Sequence, residues 1–279
     1  MENLDEESAM GNSVGQAELE QYQDDGVTVL RGCIDAEWIN RLRVAVEKDL
    51  VFSGPRAEIY SKPEDPGLFF NDFYMYRRIP EFRDFALNGP GGEIAARLMG
   101  AERVNLFFDH LFVKEPGTIE SRVPWHQDQP YCAVEGYQFC AIWTPLDPVS
   151  KETTVEFILG SHGWGRWFAP FDAMSDGSVH SSKNFERTPD FEADRTSYKI
   201  ASWTLEPGDC LAFHALIVHQ GKANSTATTR RRAVIGRYVG DDAVYAQREP
   251  IAEFPHSLPP LRHGEPLRNA PQDFPQVWP

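Results

Sequence analysis

His126 and Asp128 stand two residues apart in VPWHQDQPY (Val123 to Tyr131), a spacing that offers one imidazole and one carboxylate to a single metal ion. Two imidazoles and one carboxylate on one face of an octahedral metal leave three positions open, enough for a bidentate co-substrate and O2 together. The pair by itself decides nothing. With 8 His and 42 Asp or Glu among 279 residues, chance supplies about one HxD or HxE pair, and the second one present, His263 and Glu265 in RHGEP, serves as a decoy. In isolation His126 and Asp128 read equally well as the ion pair of a surface loop. A third ligand has to come from a distant strand that returns to the same end of a barrel. EPGDCLAFHALIVHQG offers His214 and His219, five residues apart and so on opposite faces of a regular strand. His219 ends the apolar run before the loop QGKANST, where a metal-binding end is expected. His214 sits in mid-run, as a core histidine would. A dicarboxylate co-substrate also needs a buried cation, and a guanidinium suits it because it binds carboxylate bidentately. TRRRAVIGRYVG supplies Arg230, Arg231 and Arg232 at the start of the strand after His219. At least one of three consecutive arginines points to solvent; one pointing inward is enough.

The elements that would position these groups are legible as patterns. GVTVLRG reads as a short strand, and DAEWINRLRVAVEKDLV as a helix with Asp35 as its cap and Ile39, Leu42, Val46 and Leu50 on one face. Further helices are expected around PEFRDFAL and in GGEIAARLMG, the latter closed by Gly100. From Arg103 onward the chain becomes a series of short β-branched and aromatic runs punctuated by turn residues. In the first, Val104, Leu106, Phe108, His110 and Phe112 alternate onto one expected face. There is no strand-helix alternation and no GxGxxG. Helices followed by many strands predict an α+β fold whose core is a sandwich or jelly roll. Residues 1–16 read as a disordered acidic tail and 17–279 as a single domain, with 164–196 as a lid or binding-loop insertion. The proline-rich segment from Pro250 is expected to wrap the surface in extended form.

The net charge of −15 and pI of about 4.9 argue against nucleic acid or an anionic membrane as partner, since both reward basic surfaces. No apolar run is long enough to span a bilayer, and the acidic start lacks the pattern of a secretory signal. Cys33, Cys132, Cys140 and Cys210 form no CxxC pair and read as reduced thiols of a cytoplasmic protein. The composition is compatible with a homodimer and does not require one. A zinc hydrolase is disfavoured by the absence of HExxH. A non-catalytic jelly-roll binding protein with structural histidines remains the rival class.

The ordered series WHQD, CAIWTPLDP, EFILGSHGWG and GDCLAFHALIVH, followed by Asn224 and RRRA, resembles the phytanoyl-CoA dioxygenase family of Fe(II)/2-oxoglutarate oxygenases. The resemblance covers roughly Arg103 to Asp242. It implies a double-stranded β-helix in which His126, Asp128 and His219 ligate Fe(II). It further implies O2 and 2-oxoglutarate as co-substrates, with Arg231, two residues before Ala233, binding the oxoglutarate and Arg230 the runner-up. Gln127, Trp143 and His110 match positions that line the oxoglutarate pocket in relatives. The implied reaction releases succinate and CO2 and oxidises a C–H bond of a small molecule, such as a secondary metabolite. Hydroxylation is the default, and desaturation, ring formation or epimerisation would use the same ligands. The aromatic residues Tyr74, Tyr76, Trp164, Trp167 and Phe168 are expected to form the substrate wall. Two departures stand out: Gly221 where relatives commonly carry Ser, and Leu159 where a proline is usual. Asp128 is present, so the halogenase variant that surrenders this carboxylate is disfavoured.

Overall fold

The structure is a computed structural model and describes residues 14–61, 66–118, 122–170, 185–248 and 260–279. In chain order the elements are α1 (Gln16–Asp25), β1 (Val27–Leu30), α2 (Ala36–Val51), β2 (Glu58–Ile59), β3 (Phe69–Phe73), α3 (Pro80–Asn88) and α4 (Gly91–Met99). They continue with β4 (Val104–Lys114), β5 (Val123–His126), β6 (Val134–Glu135), β7 (Phe139–Pro145), β8 (Val155–Ile158), β9 (Ile200–Ala201) and β10 (Cys210–His214). The last are β11 (His219–Gly221), β12 (Arg231–Val239), β13 (Val244–Tyr245) and β14 (Gln276–Trp278). Among the described residues no helix is long and apolar enough to cross a membrane.

The expected jelly roll is present. A large antiparallel sheet runs β1-β10-β7-β12-β4-β3-β2, with β14 also pairing β4, and faces a smaller sheet β5-β11-β8-β9. Between them lies a core of Trp143, Phe213, Ala233 and Ile235 from the large sheet and Val155 and Phe157 from the small one. Helices α2, α3 and α4 cover the outer face of the large sheet. On α2 the apolar stripe Ile39, Leu42 and Val46 is buried with Ala45, and it packs against Phe82 and Phe85 of α3 and Leu111 and Val113 of β4. Gly100 closes α4 in the left-handed conformation, as expected.

Three expectations need correction. Helix α1 starts at Gln16, the last residue of the expected tail, over a stretch the sequence marks as featureless. Its sequence QAELEQYQDD buries only Tyr22, so there is no apolar stripe to see. Residues 1–13 lie outside the described chain. Gly26 ends the helix at φ 80°, and a Cβ there would sit 2.4 Å from His162 Nδ1, so both conformation and space demand glycine. Strand β4 does not keep one apolar face. Its pairing with β12 shifts between Arg237↔Phe108 and Tyr238↔Leu106, an extra residue on β4 at Phe107. Val104 and Leu106 therefore join the helix-side cluster, while His110 and Phe112 lie on the opposite side, where Phe112 packs on the inter-sheet core.

The substrate wall is the third. Phe168 is 2% exposed and Trp164 packs with Phe191 and Tyr198, so both belong to a satellite core with Trp125 and Val218. Tyr76 packs on the helix side and accepts a hydrogen bond from Arg77. Of the expected lid, residues 171–184 lie outside the described chain. So do residues 250–259 of the proline-rich tail, whose remainder docks Leu267, Ala270 and Phe274 into a core beside Phe107. All four cysteines are free thiols.

Candidate metal centre

His126 ends β5 and His219 begins β11, and the two are direct partners in the antiparallel ladder. Their rings therefore lie side by side, centroids 4.2 Å apart. After His126 the chain leaves the strand, and Asp128 adopts helical backbone (φ −72°, ψ −42°) entering a short 3-10 turn, Gln129–Tyr131. The Gln129 N–H donates to Ala215 O at 3.0 Å, which folds this turn back over the β10–β11 connection. Asp128 Oδ1 comes to rest 3.6 Å from His126 Nε2 and 3.9 Å from His219 Nε2. Among the described residues these three form the one His/Cys/Asp/Glu group of metal-binding geometry, with ligand atoms within 4.8 Å of one another.

Hydrogen bonding selects the tautomers. His126 Nδ1 donates to Pro124 O at 2.8 Å and His219 Nδ1 to Ile217 O at 3.0 Å. Each imidazole thus presents the lone pair of Nε2 to the centre. Burial, followed by the neighbouring His126, pushes His219 down to about 3, so it is neutral. Burial alone would raise the Asp128 carboxyl. The charge of the Arg237 guanidinium outweighs burial and holds Asp128 well below the ordinary range. His214, the rejected alternative, accepts from Leu216 N–H with Nδ1 and donates through Nε2 to Tyr137 O. Both of its nitrogens are committed to backbone. The decoy His263 accepts from Gln247 N–H on an exposed turn.

Arg237 is the site residue the sequence hides. It lies in the middle of β12, buried, with Nε 3.0 Å from Asp128 Oδ2 and Nη2 3.2 Å from Oδ1. Its Nη1 donates to His110 Nδ1 at 3.3 Å, which leaves the His110 Nε2–H to donate to Asn71 Oδ1 at 3.2 Å. His110 also stacks on Phe73 at 3.9 Å. Burial, then the charge of Arg237, lowers the His110 pKa well below its ordinary value, in agreement with a neutral ring that accepts from a cation. The only sequence signal for Arg237 is a charge inside the apolar run AVIGRYV.

The arginine run divides by strand alternation. Arg230 and Arg232 face outward, and both reach Glu47 of α2; Arg232 also pairs with Asp147. Arg231 points to the other side, is 7% exposed, and donates through Nη2 to Lys222 O at 2.8 Å. Its Nη1 is buried and has no hydrogen-bond partner among the described residues. Lys114, its ladder partner on β4, donates to the same Lys222 carbonyl at 3.0 Å. Burial pushes Arg231 down to about 10, leaving it charged at neutral pH. Asn224 prepares this delivery: its amide donates to Lys114 O and Thr229 O while its Oδ1 accepts from Thr226. Gly221, where relatives favour Ser, stands opposite Val123, and a Cβ there would lie 3.2 Å from the Val123 Cβ.

Of the remaining expected pocket residues, Trp143 lies in the inter-sheet core, laddered between Leu211 and Ile235. His110 is buried there but uses both nitrogens within the protein. Gln127 spends its polar atoms within the protein: its amide donates to Arg166 O and Leu216 O, and its Oε1 accepts from Phe168 N–H. It clamps the segment after β8 and has no N–H left for a co-substrate.

The family model for phytanoyl-CoA dioxygenase matches residues 22–233. A probable phytanoyl-CoA dioxygenase of Caenorhabditis elegans is 23% identical over 244 residues, covering 79% of this chain and 74% of the relative. Among solved structures, the chain is similar to the non-heme alpha ketoglutarate dependent carbocyclase SnoK from nogalamycin biosynthesis (TM-score 0.71, 21% identity, 94% of this chain and 96% of that one). It is also similar to the epimerase SnoN in complex with Fe3+, alpha ketoglutarate and nogalamycin RO (TM-score 0.72, 19% identity, 94% and 98% covered). EctD from S. alaskensis with 2-oxoglutarate and 5-hydroxyectoine gives a TM-score of 0.66 at 19% identity, with 90% and 85% covered. At these identities the structural likeness is one of fold. The family match, which runs through both histidines and the aspartate of the cluster to the arginine run, is one of sequence, and by it the chain belongs to the phytanoyl-CoA dioxygenase family.

Proposed function

We propose that the chain is an Fe(II)/2-oxoglutarate oxygenase in which His126, Asp128 and His219 hold the iron and Arg231 anchors the distal carboxylate of 2-oxoglutarate. The observation that carries this reading is the convergence of two locked Nε2 lone pairs and one carboxylate oxygen at a barrel end. Two features fit the groups. The donor set of two imidazoles, each turned with Nε2 toward the centre, and one carboxylate is that of a facial triad. The orphaned Nη1 of Arg231 is a buried donor awaiting an anion, and leaving it unmade is costly.

When bound, iron, 2-oxoglutarate and O2 would supply the oxidising power, one oxygen atom of O2 ending in succinate as CO2 is released and the other being left for oxidation of the substrate. The protein's residues bind, orient and exclude water. The two Nδ1–H bonds fix ring orientation, Arg231 sets the co-substrate's direction, and Trp143, Phe112 and Phe213 keep the inter-sheet space dry. The substrate we infer is a small, largely apolar molecule of secondary metabolism, oxidised at an unactivated C–H, with hydroxylation as the default. The carbocyclase SnoK and the epimerase SnoN, both from nogalamycin biosynthesis, support that class. The half-exposed Trp167, between Phe185 and Arg248, and Tyr74 supply the aromatic wall. Residues 17–279 act as one unit in this reading, and the free thiols suit a cytoplasmic setting.

Anaerobic titration of the protein with Fe(II) and then 2-oxoglutarate tests it, by the weak visible charge-transfer band of the chelate. The wild type is expected to show the band, and His126→Ala and Asp128→Ala to lose it. No band in the wild type, or an unchanged band in the variants, favours a non-catalytic jelly-roll binding protein.

A further inference from the structure

Asp128 is the one anionic member of the cluster, and its plane is free to turn about the bond between Cβ and the carboxyl carbon. That freedom matters, because a carboxylate that presents both oxygens to a metal consumes an extra coordination position. We propose that Arg237 is the positioning residue for the metal-binding carboxylate: it holds Oδ2 and leaves Oδ1 turned toward the two imidazoles. This rests on the reading of His126, Asp128 and His219 as metal ligands.

The geometry is that of a fork on a plane. Nε meets Oδ2 at 3.0 Å and Nη2 meets Oδ1 at 3.2 Å, so the guanidinium fixes the carboxylate's rotation. The shorter contact goes to the oxygen farther from the centre; Oδ1 is the one facing His126 Nε2 and His219 Nε2. Arg237 is itself aimed. Its third nitrogen, Nη1, is spent on His110 Nδ1, His110 is fixed by Asn71 and by stacking on Phe73, and the Phe108 ring lies 4.8 Å from its Cζ. Asn71, His110, Arg237 and Asp128 thus form one chain of donors and acceptors crossing β3, β4 and β12 to the loop after β5. Each member is buried, so solvent does not take over its role. A lysine at this place could reach one oxygen and would leave the plane unset.

The rival account makes Arg237 a structural ion pair that competes with the metal for Asp128. The two accounts predict opposite signs. Outer-shell partners of metal ligands contribute roughly 10- to 100-fold to metal affinity, so a positioning Arg237 should weaken binding when removed. A competing Arg237 should strengthen it.

Mn(II) is the probe, titrated into the full chain and followed by the loss of the free-ion electron paramagnetic resonance signal, without co-substrate or O2. Arg237→Gln is expected to raise the Mn(II) dissociation constant by about 10- to 100-fold, with Arg237→Lys between it and the wild type. Thermal melts of the metal-free proteins monitor folding. If Arg237→Gln does not fold, Arg237→Lys, which keeps the charge and loses the fork, carries the test by the same criterion. Wild-type affinity or tighter binding in the folded variants overturns the positioning role and leaves the metal centre standing. A wild type that binds no Mn(II) overturns both readings.

Discussion

Arg230, Arg231 and Arg232 are chemically identical and adjacent, yet the pleat sends them to different fates. The outer two lock onto Glu47, and only Arg231 turns into the barrel; an unpartnered N–H by itself does not set it apart, because Arg230 Nε also lacks a partner among the described residues. Arg231→Gln is therefore expected to weaken 2-oxoglutarate binding by about 10- to 100-fold, the worth of a charge-assisted bond, without changing Mn(II) affinity. Arg230→Gln should stay within about twofold of wild type, since surface pairs contribute little. Calorimetric titration of the metal-loaded, O2-free proteins reads both; equal losses in the two variants would remove Arg231 from its role. The sequence made His126, Asp128, His219 and Arg231 legible because they recur in a fixed order along four separated motifs. It concealed Arg237, because a charge within a strand looks the same whether it faces solvent or a buried acid. It left the hydrogen bonds of Gln127 unread, because a side chain's place in the sequence says nothing about which way its amide turns.

Among the elements, β4 carries the clearest divided role. Its extra residue at Phe107 switches the strand from facing helices to facing the barrel, and no alternation rule reveals such a shift in advance. One residue on its helix side, Asp109, accepts from Tyr76 N–H at 2.8 Å while its Oδ1 has no partner among the described residues. Burial pushes this carboxyl up to about 8. The folded chain then keeps a proton that the unfolded chain releases near pH 4, so stability falls as pH rises from about 4 to 8, by about 1.4 kcal/mol per pH unit at most. Asp109→Asn removes this dependence. Urea melts from pH 5 to 9 should show the variant gaining on the wild type as pH rises, and parallel curves would refute the assignment. Helices α2, α3 and α4 were legible from their stripes and caps; α1 was not, because a helix that buries one residue leaves no periodic trace.

The whole molecule sets a strongly acidic exterior, with net charge −15, around an interior that holds Arg231 and Arg237. A dianionic co-substrate and a divalent metal bound there should stabilise the fold together. At one hundred times its dissociation constant each ligand contributes about 2.7 kcal/mol. Mn(II) plus 2-oxoglutarate is expected to raise the melting temperature by several degrees, and more than either alone. No shift in a thermal scan would contradict a ligand site inside the barrel. The order of helices before strands was enough to expect the jelly roll, whereas its strand order lies in contacts between segments far apart in the chain. That strand order has a kinetic consequence. β12 lies between β4 and β7 and comes off the ribosome after both. Until Val239 is made, each of them presents an open, largely apolar edge, and Asp128 has no guanidinium to meet. A chain built this way should refold slowly and associate with its own kind while it waits. Dilution and low temperature during refolding would then matter more to its yield than any single contact in the finished barrel.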